Sequence, residues 1–307
     1  MSFYLSRLKS DQWDEAARLL HASLSDWYEK NLNQPGKFGA RWQPMRIFPL
    51  VYEALDPGMA ITACDDGSGE LMGICFYHPR ETHVALGIVG TAPEAGRRGV
   101  ARAMVEEALS LASKAGLPVR LVSSAMSLDS FSLYTRLGFV PHTFFQDMVV
   151  PEWKSPPPPQ GAERVRMASL DDAAAIADLE YRLHGIRRLK DYRYFLENRE
   201  GVWSVWVSQA EGGGLDGFLC GLSTDGSQML GPGVMEGEAQ AQALIHVAHE
   251  SRPDWSPVFL VPSAAPLLVS TLYRWGARNL ELHVAQSKGP CQPMRGIGMP
   301  TFMPETG

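Results

Sequence analysis

Apolar runs of strand length alternate with stretches of helical periodicity along the chain, and the runs are interrupted by Gly, Pro or charge before they reach the length of a bilayer span. Val84 to Val89 is one such run and reads as a strand. Beyond the turn that follows it, Ala101 to Ala115 places Met104, Ala108, Leu111 and Ala112 on one face. That spacing predicts a helix packed on a sheet, with its N-terminus directed at solvent or ligand. The same reading gives strands near Phe3 to Leu8, Met59 to Cys64, Glu70 to Pro79 and Val119 to Ser123. It places helices within Gln12 to Leu55 and over Leu128 to Leu137, and makes Phe139 to Val150 a closing strand or hairpin. Strands and helices in this mixed order predict an α/β fold with helices on both faces of a sheet.

Pro151 to Ser155 followed by Pro156 to Pro159 breaks the pattern near its middle, because consecutive prolines continue neither a helix nor a central strand. The two flanking halves look alike. Arg7-Leu8-Lys9-Ser10 and Arg166-Met167-Ala168-Ser169 each end a short strand at a helix cap. Ser132-Leu133-Tyr134-Thr135-Arg136-Leu137-Gly138-Phe139 has its counterpart in Thr271-Leu272-Tyr273-Arg274-Trp275-Gly276-Ala277. The expectation is a tandem repeat of one domain over 1–150 and 162–307, joined by a Pro-rich linker over 151–161.

Composition narrows the function without choosing it. A chain of 307 residues, 45% of them hydrophobic, suffices for two cores. The N-terminus lacks the apolar stretch of a signal peptide, and Cys64, Cys75, Cys220 and Cys291 show no paired spacing. A cytoplasmic protein without membrane insertion, disulfide framework or zinc site is therefore expected. A formal charge of −6 argues against general nucleic-acid binding.

The candidate chemistry sits in Gly96-Arg97-Arg98-Gly99-Val100-Ala101, between the Val84 strand and the Ala101 helix. Small residues allow close backbone approach, first-turn N–H groups lack intrahelical partners, and Arg97, Arg98 and Arg102 add positive potential suited to a pyrophosphate. Gly99-Val100-Ala101, Thr91-Ala92-Pro93-Glu94 before it and Leu133-Tyr134-Thr135-Arg136-Leu137-Gly138-Phe139 after it resemble, in order and separation, the motifs of the GNAT superfamily of acyl-CoA-dependent N-acyltransferases. The resemblance covers residues 3 to 150 well and the second half more loosely. It implies two tandem GNAT-like domains, each a mixed, mostly antiparallel sheet flanked by helices.

It further implies acetyl-CoA as co-substrate, its pantetheine arm in a gap between two strands, and direct attack by a primary amine. Carried over onto this chain, the cofactor-binding positions are Ile88, Val89, Gly90, Gly96, Arg97, Arg98, Gly99, Val100, Ala101, Arg102 and Ser127. Tyr134 stands where the family places the general acid that protonates the departing thiolate. Two departures stand out: Gly96 occupies the position of the family's usual Gln or Arg, and Ser127 that of a frequent Asn. The arginines have a plainer explanation as solvated surface, and Tyr134 as an aromatic packed on the sheet.

The second half keeps glycines over Ser227 to Ala239 but offers no Lys or Arg there, while Glu236 and Glu238 repel a pyrophosphate. Aligning Gly276 with Gly138 sets Leu272 opposite Tyr134 and leaves Tyr273 about 100° away on its helix. A degenerate second domain follows. No general base is assigned: His78, Glu81 and His83 at strand ends are more simply solvated turn residues, and the metal-like pair His246 and His249 a surface pair. No metal is expected. The aromatic segment from Trp27-Tyr28 through Trp42 to Phe48 is a candidate acceptor lid, with helix packing as its alternative, and the apolar tail Gly298 to Pro304 is expected to pack on something. The expected partner is a small-molecule or peptide amine, with homodimerisation open. The competing function is a non-catalytic acyl-CoA sensor or partner-binding module. A nicotinamide oxidoreductase requires Gly-x-Gly-x-x-Gly, which this turn lacks.

Overall fold

The computed structural model describes residues 2–301 and 303. The first half runs β1 (Phe3–Arg7), α1 (Trp13–Leu32), α2 (Ile47–Leu55), β2 (Ala60–Asp65), β3 (Leu71–Pro79), β4 (Val84–Thr91), α3 (Val100–Lys114), β5 (Val119–Ser124), α4 (Leu128–Arg136) and β6 (Val140–Val149). The second repeats that order as β7 (Val165–Met167), α5 (Ala173–His184), α6 (Leu189–Glu197), β8 (Trp203–Gln209), β9 (Leu215–Ser223), β10 (Gln228–Met235), α7 (Glu238–Ser251), β11 (Val258–Pro262), α8 (Pro266–Arg274) and β12 (Arg278–Lys288). A short strand, β13 (Ile297–Met299), follows and has no counterpart in the first half. Local chemistry starts the repeat in both halves: Gln12 Oε1 accepts from the Lys9 N–H, and Asp172 Oδ2 accepts from the Ser169 N–H.

The strands form one sheet in the order β1-β2-β3-β4-β5-β12-β6-β11-β10-β9-β8-β7, with β13 added beside β10. Pairing is antiparallel except between β4 and β5 and between β10 and β11. The segment expected to close the first half is a single strand, and it does not pair with β5. Instead β12 lies against β5, from His283 opposite Ser124 to Lys288 opposite Val119. Reciprocally, β6 lies against β11, from Phe145 opposite Pro262 to Val149 opposite Val258. Each half thus donates its last strand to the other, and the two donated strands pair with one another. The open edges of β5 and β11 are equivalent by the repeat, so an edge that needs a partner can take either closing strand.

Packing follows this continuity. Val122, Phe145, Leu260 and Ala285, one from each of the four central strands, form a small core of their own. One helical layer merges the halves: Leu20, Phe48, Tyr52 and Phe76 share a cluster with Ile176, Tyr192, Phe195 and Phe218. The opposite face holds two separate cores, under α3 and α4 in the first half and under α7 and α8 in the second.

Buried charge also bridges the halves. The Arg80 guanidinium donates to Asp56 at 2.8 Å and to Asp191 of α6 at 2.9 Å, while His78 bonds Asp56 at 2.8 Å and Lys190 pairs with it. Burial would raise the Asp56 pKa, but the His78 hydrogen bond and the Arg80 charge hold it well below the usual carboxylate range. Arg188 forks onto Glu180 at 2.6 and 2.9 Å, with Tyr192 donating to the same carboxylate.

Several strand-end and helical histidines expected at the surface are inside. His78 and His83 are buried, and burial holds His83 well below its ordinary pKa. Glu81 meets Arg187 at 3.2 Å. His246 and His249 are buried beneath the linker: His249 stacks on Trp153 with ring centroids 4.7 Å apart, and His246 bonds the Pro156 carbonyl at 2.8 Å. The indole of Trp153 gives these rings an apolar cover that periodicity on α7 did not reveal. Among the described residues no helix is long and apolar enough to cross a membrane.

Because each half completes its sheet with the other's strand, the intact chain should unfold in a single calorimetric transition, and 1–150 expressed alone should self-associate. Two resolved transitions, or a monomeric folded 1–150 fragment, would contradict the reciprocal exchange.

Candidate active site

Between β4 and β5 the parallel ladder lasts only from Val84 opposite Val119 to Ala85 opposite Arg120. Beyond it the strands have no shared pairing. On its other side β4 carries one extra residue relative to β3, between Leu86 opposite Tyr77 and Val89 opposite Cys75. Such a bulge bends and twists a strand. The result is a wedge with Leu86 to Thr91 along one wall and Leu121 to Ser124 along the other, where strand-edge N–H and C=O groups face a gap.

Gly99 caps α3 next to this wedge. Its φ of 81° suits glycine, and Arg97 takes the left-handed region at 62°. Gly96, Arg97 and Gly99 are exposed and Arg98 is half-exposed. Arg102 is exposed but turned along the helix, its Nε donating to Glu106 at 2.9 Å. Val100 and Tyr134 lie in the core under α3 and α4, and Tyr134 meets the Phe139 ring edge-on with centroids 5.8 Å apart. Ile88 and Val89 are half-buried. Gly90 sits under α1, where a Cβ would stand 3.1 Å from Leu20 Cδ2. Ser127, at the start of α4, donates to Ser130 at 2.9 Å. The fold thus gathers Ile88 to Gly90, Gly96 to Arg102 and the start of α4 around the end of the sheet where β4 and β5 separate.

In the second half the same wedge is filled. The parallel pairing of β10 and β11 covers Met229 and Leu230 opposite Val258 and Phe259, with an irregularity after Leu230. There β13 inserts, pairing Met299, Gly298 and Ile297 with Gly233, Val234 and Met235. A Cβ on Gly298 would lie 2.6 Å from His184 Cε1, and one on Gly296 2.2 Å from the Met235 carbonyl. This is what the apolar tail packs on: Thr301 and Met303 are buried there too, whereas Phe302 and Pro304 lie outside the described residues. At the start of α7, Glu238 accepts from the Leu268 N–H of α8 at 2.5 Å, and Glu236 pairs with Arg182 at 2.7 Å. Leu272 is buried, while Tyr273 is exposed and donates to Gln146 at 2.5 Å.

A second polar cluster went unnoticed in the sequence. Asp147 on β6 and Glu281 on β12 are direct cross-strand partners, and His283 is two residues further on the same face. Their ligand-type atoms lie within 4.8 Å of one another, the one such grouping of potential metal ligands among the described residues. Tyr28 of α1 donates to Glu281 at 2.7 Å. Burial, then the Glu281 charge, pushes the Asp147 pKa up to about 7, and burial pushes His283 down to about 4. The signal was a charged residue inside apolar strand patterns, Phe145-Gln146-Asp147-Met148 and Leu280-Glu281-Leu282-His283-Val284. Their meeting depends on the strand exchange.

A continuous α/β sheet made from two copies of one strand–helix order, each with a parallel pair that splays apart beside a helix N-terminus, defines the class of tandem acyltransferase-fold proteins. Residues 20–139, within the first half, match the family described as Acetyltransferase (GNAT) family. Solved structures similar over nearly the whole chain include an acetyltransferase-like protein from Pyrococcus horikoshii, at 13% identity and TM-score 0.72 over 96% of this chain and 91% of that one. A GCN5-related N-acetyltransferase from Sphaerobacter thermophilus is 15% identical, with TM-score 0.64 over 95% and 97%. A tandem GNAT protein from the clavulanic acid biosynthesis pathway is 15% identical, with TM-score 0.61 over 95% of this chain and all of that one. At these identities the likeness is one of fold. No curated protein matches the sequence.

Gly298→Ala should disturb the filled wedge by placing a Cβ against the His184 ring, lowering stability by about 1–3 kcal/mol. Denaturant melts measure this, and an unchanged midpoint would mean that β13 does not fill the gap.

Proposed function

We propose that this protein is an N-acetyltransferase that moves an acetyl group from acetyl-CoA to a primary amine of a small-molecule or peptide acceptor, with one working site, in the first half. The observation that carries this reading is the asymmetry between the wedges. The β4–β5 wedge is bordered by Gly99, Arg97 and Arg98, whereas its counterpart holds β13 and glutamates.

In this reading the half-buried Ile88 and Val89 and the buried Gly90 offer strand-edge groups to the pantetheine amides. The first-turn N–H groups from Gly99 to Arg102 meet the pyrophosphate, where the helix dipole favours an anion. Backbone donors do not depend on side-chain identity, so Gly96 in place of Gln or Arg removes one contact without removing the cradle. Arg97 and Arg98 supply positive potential, joined by Arg102, whose Nε also donates to Glu106. Val100 and Ala101 set the helix against the sheet, and Ser127 positions the start of α4. A neutral amine attacks the thioester carbonyl, and Tyr134 gives its proton to the departing thiolate. The second half covers and completes the first, and cytoplasmic residence suits such a reaction.

Thiol release from acetyl-CoA across a panel of primary amines, with calorimetric acetyl-CoA titration, tests the reading. Tyr134→Phe should lower turnover about 10²-fold or more while leaving acetyl-CoA affinity intact. Full turnover by that variant removes Tyr134 from the mechanism, and cofactor binding without turnover on any amine favours the acyl-CoA sensor. Reversing charge at Arg97 and Arg98 together should weaken acetyl-CoA binding by about tenfold, near 1.4 kcal/mol. An unchanged dissociation constant would remove both from the cofactor site.

A further inference from the structure

The Asp147, Glu281 and His283 cluster holds more negative charge than its surroundings neutralise. Asp147 is 4% exposed and Glu281 2%, yet Asp147 Oδ1 and Glu281 Oε1 have no hydrogen-bond partner among the described residues. Two carboxylates desolvated side by side repel, and protein interiors keep such groups only when something compensates them. His283 does not, because burial keeps its ring neutral. Tyr28 is a neutral donor whose phenol burial pushes far above its ordinary pKa. Lys37, on the segment after α1, is the charged group facing the pair from the outside, and burial lowers its pKa although both carboxylates favour its charged form.

The position of Lys37 indicates the kind of cation that suits this place. Its ammonium lies 3.8 Å from the centre of the Tyr28 ring, which in turn meets the rings of Trp27 and Phe38 edge-on at 4.9 and 5.2 Å. An alkylammonium over aromatic faces beside carboxylates is a favourable arrangement for a primary amine. The cluster also lies at the open end of the wedge. His283 is opposite Ser124, the last residue of β5, and the Ala125 N–H donates to the Leu282 carbonyl at 2.8 Å. Ser127 then begins the helix that carries Tyr134. From Ser23, whose hydroxyl accepts from the Thr91 N–H on β4, α1 runs five residues, about 7.5 Å, to Tyr28.

We infer that Asp147, Glu281, His283 and Tyr28 form the acceptor subsite, built by strands of both halves, and that it takes the acceptor's primary ammonium and removes its proton. The inference rests on the transferase reading and adds to it the base and the charge of the substrate. The acceptor enters as R–NH3+, displacing Lys37 from the mouth, and gives one proton to Asp147 Oδ1. The lone pair so freed forms the C–N bond with the thioester carbon. Collapse breaks the C–S bond, the thiolate takes the Tyr134 proton, and the proton shed by nitrogen restores the phenol. Ammonium and thioester thus become amide, thiol and one H+, which leaves from Asp147. A carboxyl group with a pKa near 7 suits this exchange at neutral pH.

The full-length protein, Asp147→Asn and Glu281→Gln are to be melted at pH 5 and pH 8, with and without 1,4-diaminobutane in the presence of acetyl-CoA. An Asp with a raised folded pKa binds its proton more tightly folded than unfolded, so its charge costs stability increasingly from about pH 4 to about pH 7. Asp147→Asn should therefore melt above wild type, by a clearly larger margin at pH 8 than at pH 5. The diamine should raise the wild-type midpoint and leave both variants unmoved. With any amine that turns over, kcat/KM should fall about 10²-fold in Asp147→Asn and lose its acid limb near pH 7. Variants that melt below wild type at pH 8 while binding acetyl-CoA normally would show a structural pair and overturn the inference. Stabilisation by Zn2+ or Mn2+, but by no amine, would overturn it in favour of a metal site. Wild type that binds no acetyl-CoA would instead count against the transferase reading, and the melts would still judge the pocket.

Discussion

The reciprocal exchange of β6 and β12 is the constraint on which the rest of this structure depends. A strand left beside β5 without a partner would expose a row of backbone donors and acceptors, and the same holds for β11. Filling each edge with the other half's strand turns two sheets into one and aligns the halves with residue-level register, since a one-residue slip would invert every side chain on β6 and β12. The shared helical core and the buried Arg80, Asp56 and Asp191 contacts then have fixed partners to meet. Breaking one of those ion pairs from one side leaves an uncompensated buried charge, at a cost of about 3–5 kcal/mol.

The exchange treats the two similar halves alike, so what makes them differ lies in their wedges. Both wedges arise because a parallel ladder begins at one end of a strand pair and is not continued. What occupies the gap is then a matter of local chemistry. Beside α3 stand glycine, two arginines and exposed backbone. Beside α7, Glu238 reaches the first turn of α8 while β13 supplies the hydrogen bonds that the separated β10 edge would otherwise lack. Gly296 and Gly298 make that insertion possible, since side chains at either position would collide with the Met235 carbonyl or the His184 ring.

The central strands also place polar chemistry where neither half could build it alone. Asp147 belongs to the first half and Glu281 and His283 to the second, and they meet only because β6 and β12 are neighbours. A second half whose own wedge is filled by β13 therefore still contributes side chains next to the end of β5.

Much was legible in the chain itself because it is local. The strand run Val84 to Val89, the glycine that lets α3 begin at Val100, the Leu133-Tyr134 turn and the repeated element order all follow from nearest-neighbour periodicity and backbone freedom. The absence of basic residues around Glu236 and Glu238 likewise marked the second wedge as different before its contents were known. Three things were decided only by tertiary structure: which closing strand pairs with which edge, what the tail packs on, and which buried carboxylates face one another. Local sequence cannot choose between two equivalent edges offered by a repeat. Nor can it show that His246 and His249 lie beneath Trp153, or that Asp147 meets Glu281 across 134 positions of chain, because those contacts exist only once distant strands have been brought into register.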